Sequence, residues 1–251
     1  MRKLYRAWCL TWFGGTYLAL FPLFWLCLLR PAWYRHTGTL NRIWARVFYF
    51  GSGLPIRVDH RFKPGRGPYV YCANHTSYLD IPTTGYALPG YLTYVGKASL
   101  TKVPLFGWMF KKLHIAVDRR SRISGYRSLV ASYAAIDRGS SLIIFPEGGI
   151  CDLPQPRLMP FKDGPFRIAI EKQVPVVPVT IPHNWRVLPD NGTFLPYRHP
   201  SLVVVHAPIE TRGLTMDDLP ALRRRTYDVI WEEWRRHHPQ LVKHPQHESI
   251  A

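Results

Sequence analysis

Acidic residues are scarce in this chain of 251 residues: 16 Asp and Glu stand against 33 Lys and Arg, a formal net charge of +17. So few carboxylates favour an anionic partner, whether nucleic acid, an acidic protein or an anionic membrane face. Cysteine is also sparse. The four (Cys9, Cys27, Cys72, Cys151) are scattered without a C-x-x-C pair, which argues against zinc sites and disulfide frameworks and suits a reducing compartment. No G-x-S-x-G stretch occurs, so the usual serine nucleophile elbow is missing. The basic residues are spread along the chain with no nucleic-acid-binding motif, and no nucleic-acid partner is expected. What the chain has in quantity is apolar and aromatic: 47% hydrophobic residues, with nine Trp. That wealth of aromatics suits a membrane interface.

No charge falls between Ala7 and Leu29. As a helix, such a run reaches about 35 Å, enough to cross a bilayer core. It ends in CLLRPAWYRH rather than in a small-x-small cleavage site, so a signal peptide is not indicated. Both flanks are basic (Arg2, Lys3 and Arg6; Arg30 and Arg35), which gives no clear orientation for a single span. Gly14-Gly15 and Pro22 offer places for the helix to break and dip into one leaflet. A second stretch, LNRIWARVFYFGSG, puts Ile43, Val47 and Phe50 on one helical stripe and Arg42 and Arg46 on another. Residues 1–53 therefore read as a two-helix membrane anchor, with a single span as the alternative.

From residue 54 to 238 short strands alternate with helices. Strands are expected at 56–59, 69–73, 91–95, 114–117, 141–145, 176–181 and 202–206. Several are continuous β-branched runs (SLIIF, VPVVPVTI, LVVVH), as in strands buried on both faces. Helices are expected at 121–138, closed by Gly139, at 166–172 and at 217–238. The fold class is α/β, with a mostly parallel central sheet flanked by helices. Residues 239–251 form a polar tail.

One stretch at a strand end raises the question of chemistry: VYCANHTSYLD, residues 70–80. His75 and Asp80 are five apart. In a helix they would sit about 140° apart around the axis, and in a strand roughly 16 Å apart. They meet only across a turn, with His75 outside a helix and Asp80 in its first turn. Thr76, Ser77 and Pro82 support a helix start there. By itself the spacing favours a capped helix over a base with its orienter. In the second reading Asp80 holds one imidazole nitrogen, and the other takes a proton from a substrate hydroxyl.

Three later blocks bear on the choice. VGKASLTKVPLFGWMFKKLHIAVDR (95–119) sets Lys97, Lys102, Lys111, Lys112 and Arg119 around an apolar centre, as a lipid phosphate or a solvated helix face would require. IIFPEGGICD (143–152) runs a buried strand into Glu147, Gly148 and Gly149, a place where ligands commonly bind in parallel sheets. FKDGPFRIAIEKQVPVVPVTIP (161–182) reads as structural.

In this order the blocks resemble the glycerolipid acyltransferase family, whose familiar members are the 1-acylglycerol-3-phosphate (lysophosphatidic acid) acyltransferases. N-H-x4-D is matched by Asn74, His75 and Asp80. The lysine-bearing second motif is matched by Lys102, Val103, Pro104, Gly107, Asp118 and Arg119, F-P-E-G by Phe145 to Gly148, and V-P-V-x-I by Val177 to Ile181. The resemblance covers roughly residues 55–210. It implies transfer of a fatty acyl group from acyl-CoA or acyl-carrier protein to a lysolipid hydroxyl, with no metal or organic cofactor. It implies His75 as general base, Asp80 as its orienter and Asn74 as a support of that loop. Lys102 and Arg119 would bind head-group phosphate, and Glu147, Gly148 and Gly149 would line the acceptor and oxyanion side. Membrane lipids, an anionic membrane surface and acyl-carrier protein are the implied partners, with the catalytic domain on the cytoplasmic side of the cell membrane. One departure matters. Many members continue the third motif as E-G-T-R-S, whereas here Gly149 and Ile150 follow Glu147-Gly148. Lys102, Arg119 or Arg157 would then supply the missing cation, or the acceptor is another lysolipid such as a lyso-aminolipid. A lipid hydrolase, using water as acceptor, is the other enzyme class these residues allow.

Overall fold

The computed structural model describes residues 2–65, 67–118, 120–151 and 157–240. Arg119 and most of the expected polar tail lie outside them. All the expected strands are present, with ends moved by a residue or two: β1 (Ile56–His60), β2 (Val70–Ala73), β3 (Leu92–Lys97), β4 (Ile115–Val117), β5 (Ser141–Ile144), β6 (Val176–Thr180) and β7 (Ser201–Val205). They form one sheet in the order β1-β7-β6-β2-β5-β3-β4. Only β6 and β7 pair antiparallel, so β1 and β7 run against the other five. The three central strands, β2, β5 and β6, are buried at every residue. That is why their sequences are apolar runs without alternation.

The helices are α1 (Arg2–Cys27), α2 (Thr37–Ser52), α3 (Asp80–Ala87), α4 (Phe106–Leu113), α5 (Arg122–Asp137), α6 (Gly164–Glu171), α7 (Asn184–Val187) and α8 (Leu219–His237). On one face of the sheet α5, α6 and α8 bury Ile136, Phe166, Tyr227 and Trp234 against Val70, Leu142 and Val176. On the other, α3 packs Ala87 against Tyr71, Ile143 and Val177. Local signals set the ends of α5. The Ser121 side chain accepts the Ser124 N–H at 3.2 Å, and Gly139 follows the helix at φ +78°, as capping chemistry requires.

The first two helices depart from one expectation. α1 does not break at Gly14-Gly15 or at Pro22; it is continuous through all three. Proline removes one backbone bond, but Phe24 and Leu28 pack on Met109 and Leu113 and hold the last turns in line. After a 3-10 turn at Pro31–His36, α2 returns antiparallel along α1. The Trp8 and Trp12 indole N–H groups donate to the carbonyls of Gly51 and Val47 at 2.8 and 3.0 Å. The approach is close enough that a Cβ at Gly51 would lie 2.1 Å from the Trp12 ring. α2 buries Trp44, Phe48 and Tyr49 and turns Ile43, Val47 and Phe50 outward, Phe50 at 89% exposure. α1 is long and apolar enough to cross a membrane by length and composition.

Candidate active site

Strand register brings two separate loops together. Cys72 of β2 pairs with Ile144 of β5. Three residues farther along each chain stand His75 and Glu147, both past the carboxyl ends of parallel strands, where α/β sheets place their ligand sites. On the other side β6 pairs Val179 with Ala73, which sets Asn74 beside Ile181. The Asn74 amide donates to the Ile181 carbonyl at 3.0 Å and accepts the Ile181 N–H at 2.7 Å. Asn74 is wholly buried. Its side chain ties the loop to β6, as a loop support should, and is not available to substrate.

The turn solves the spacing of His75 and Asp80. α3 starts at Asp80 itself, and its carboxylate reaches back over the turn. Asp80 Oδ2 lies 2.9 Å from His75 Nδ1 and accepts the N–H groups of Thr76 and Ser77 at 2.8 and 2.9 Å. These are the orphan donors before a helix start, so one carboxylate both caps α3 and orients the imidazole. Asp80 is fully buried and His75 nearly so. The carboxylate fixes Nδ1 as the protonated nitrogen and leaves Nε2, which has no hydrogen-bond partner among the described residues, as the basic one. Phe145 stacks on the ring, centroids 4.0 Å apart and planes at 19°, and holds its tilt.

Sequence reasoning missed what holds Asp80. Asn184, from α7, donates to Asp80 Oδ1 at 2.9 Å and to Thr83 Oγ1 at 2.8 Å. Ser201 donates to Asn184 Oδ1 at 2.6 Å, and the Tyr49 hydroxyl of α2 bonds Thr83. A buried polar chain thus runs from an N-terminal helix to the His75–Asp80 pair. No local motif marks Asn184, which is 104 residues from Asp80 in a turn-rich loop.

Glu147, expected at the acceptor side, makes backbone contacts in the structure. It is buried, and its two oxygens accept the N–H of His75 at 2.7 Å and of Met159 at 2.9 Å. It therefore fixes the His75 backbone. Burial pushes its carboxyl up to about 8, against those two donors, which pull it down. Between its ordinary 4.5 and about 8 the folded chain holds a proton that the unfolded chain has lost. Stability must therefore fall as pH rises through that window. Glu147→Gln has no such proton. In thermal unfolding by circular dichroism, the wild-type midpoint should fall relative to that of Glu147→Gln as pH is raised through the window and then level off. Parallel curves would contradict the assignment.

Gly148 follows at φ +78°, a conformation that favours glycine. Lys102 and Arg157 are exposed. Lys102 ends the 3-10 turn after β3, past the carboxyl end of a strand parallel to β2, and among the described residues its side chain forms no hydrogen bond or ion pair with the His75 network. Among the described residues no group of His, Cys, Asp or Glu is placed to hold a metal ion. Nearby nucleophiles are not paired with the imidazole. Ser77 Oγ donates to Leu188 O at 2.7 Å and accepts the Leu79 N–H at 3.1 Å. Burial pushes the Cys72 thiol well up, away from the reactive thiolate. The Thr76 hydroxyl is buried with no partner among the described residues. What the arrangement offers is a base without its own nucleophile, able to take a proton from an incoming hydroxyl.

Comparison with known proteins points the same way. The family model described as Acyltransferase matches residues 56–182. The 1-acyl-sn-glycerol-3-phosphate acyltransferase of Saccharomyces cerevisiae is 31% identical over 195 residues, covering 75% of this chain and 64% of that protein. A chloroplastic enzyme of that description from Brassica napus is 31% identical over 175 residues, covering 68% of this chain and 49% of that protein. The chain thus spans about half to two thirds of the length of these relatives. The crystal structure of the 1-acyl-sn-glycerophosphate (LPA) acyltransferase PlsC from Thermotoga maritima superposes with a TM-score of 0.76 at 19% identity, covering 97% of this chain and 99% of that one. At that identity the likeness establishes the fold.

Proposed function

Because this chain belongs to the Acyltransferase family, whose model spans its residues 56–182, we propose that it moves a fatty acyl group from acyl-CoA or acyl-carrier protein to the hydroxyl of 1-acylglycerol 3-phosphate, giving phosphatidic acid. The observation that carries this reading is the buried His75–Asp80 pair, with Nε2 unpartnered and no serine or cysteine bonded to it among the described residues. His75 Nε2 takes the proton of the acceptor hydroxyl as its oxygen attacks the thioester carbonyl carbon. The C–S bond then breaks, and the imidazolium returns the proton to the departing thiolate. Asp80 stabilises the imidazolium in between. The thioester is already activated, so the step calls for no cofactor. Water as acceptor would make the same base a hydrolase, but nothing in the site favours water over a larger hydroxyl compound.

In this reading α1 and α2 seat the chain in the cytoplasmic leaflet of the cell membrane. Support comes from their outward apolar residues, among them Leu18, Trp25, Leu26 and Phe50, and from the surplus of positive charge, which an anionic lipid surface attracts. The basic surface suits acyl-carrier protein equally. The test is acyl transfer by the purified full chain with labelled acyl-CoA and acyl-carrier protein, each offered 1-acylglycerol 3-phosphate, glycerol 3-phosphate or a lyso-aminolipid. Labelled phosphatidic acid is the expected product. Turnover confined to another acceptor, or fatty acid release without acceptor, would overturn the reading. Flotation of the same preparation with anionic vesicles tests the anchoring.

A further inference from the structure

The turn after β5 carries no cation of its own, since Gly148, Gly149 and Ile150 follow Glu147. One reaches it from elsewhere in the chain. The Lys162 backbone N–H donates to Pro146 O at 2.9 Å, which fixes that residue against the turn. Its side chain then lies across Gly148. A Cβ at Gly148 would fall 2.6 Å from Lys162 Nζ, 2.8 Å from Cε and 3.1 Å from Cδ. The missing side chain at 148 therefore makes room for the lysine stem as well as permitting the positive φ.

The charge of Lys162 is uncommitted. The residue is exposed, and its ammonium forms no ion pair among the described residues. Neighbouring Asp163 is engaged by Arg223 at 2.6 Å. Glu147, on the turn itself, points inward to the N–H groups of His75 and Met159. The N–H groups of Gly149 and Ile150 likewise make no hydrogen bond among the described residues. A turn with two successive glycines, N–H groups free among the described residues and a full positive charge laid over it has the parts of an anion site. It adjoins the base, because the same turn holds the His75 backbone through Glu147.

We propose that Lys162, together with the N–H groups of Gly149 and Ile150, holds the phosphate of the acceptor and so presents its hydroxyl to His75. This deepens the function proposed above and rests on it. An ammonium on a flexible stem meets a tetrahedral phosphate as a point charge with three donors, so it can serve from a different part of the chain than a cation on the turn itself would. The sequence reading looked to Lys102, Arg119 or Arg157, since Lys162 lies in a stretch that reads as structural.

Steady-state kinetics on the full chain with two acceptors test it: 1-acylglycerol 3-phosphate and 1-acylglycerol, which differ only in the phosphate. Lys162→Ala should raise KM for the phosphorylated acceptor about 10- to 100-fold, the loss of one charge-assisted contact. The ratio of kcat/KM between the two acceptors should fall by the same factor, with KM for the acyl donor unmoved. Lys162→Arg should recover part of the ratio. Gly148→Ala, whose methyl group would push the lysine stem off the turn, should lower it. Melting curves confirm that each variant is folded. If wild type acylates 1-acylglycerol 3-phosphate and Lys162→Ala keeps its KM and ratio, this inference fails and the proposed function stands. If wild type prefers the acceptor without phosphate, both fail.

Discussion

His75→Ala should lower the rate of acyl transfer roughly a thousandfold, the usual worth of a positioned general base, while the protein stays folded and membrane-bound. The expectation follows from how little else the imidazole does. Its Nδ1 meets Asp80 and its face meets Phe145, but Nε2 supports no other group among the described residues. The loop keeps its shape through contacts that do not involve the imidazole: Asn74 on Ile181, the His75 N–H on Glu147, and the N–H groups of Thr76 and Ser77 on Asp80. The loss should therefore appear in kcat, with KM for either substrate little changed. Initial rates with saturating thioester and acceptor measure it, and a variant within a few-fold of wild type would remove His75 from the base role.

Asp80→Asn should show the opposite division, a loss of both rate and stability. The aspartate accepts four hydrogen bonds in a fully buried position, three of them on Oδ2. An amide has only one accepting oxygen. Whichever way it turns, its NH2 group faces N–H donors, and at least one of them is left unsatisfied. Such a conflict inside a dry site costs about 3 kcal/mol, or a melting point lowered by about 10 °C in a domain of this size. The imidazole would also lose the acceptor that fixes its tautomer and stabilises its charged form. A fall in rate on the order of ten-thousandfold is expected from that change alone. Calorimetry and initial rates on one sample separate the two effects. Normal stability would show that Asp80 is not the hub of the turn.

Much of this was legible in the sequence. The strands announce themselves because burial on both faces demands unbroken β-branched runs, and SLIIF and LVVVH can be little else. The turn joining His75 to Asp80 was legible because their spacing fits only a turn into a helix, and the structure builds that turn; the reading of the pair as a base came from the later motifs. The identity of the atoms that hold them was not. Asn184 reaches Asp80 only because β6 lies beside β2, and Glu147 reaches the His75 N–H only because β5 lies on the other side. Such adjacency is a property of strand order, which local pattern does not encode. Lys162 is hidden for a different reason: its neighbourhood reads as a plain turn into a helix until the connection from β5 to α6 folds back and lays it over Gly148. Proline and glycine misled the reading of α1, since their local cost is outweighed by packing of that helix on α2 and α4.

The central claim is that the His75–Asp80 base passes the acyl group directly to an acceptor hydroxyl, without an acylated enzyme. Rapid acid quench of the full chain mixed with labelled acyl thioester, with and without 1-acylglycerol 3-phosphate, tests it most directly. The account predicts no label on the protein and little free fatty acid without acceptor, then labelled phosphatidic acid within one turnover once acceptor is present. Stoichiometric label on the protein that chases into product would contradict it.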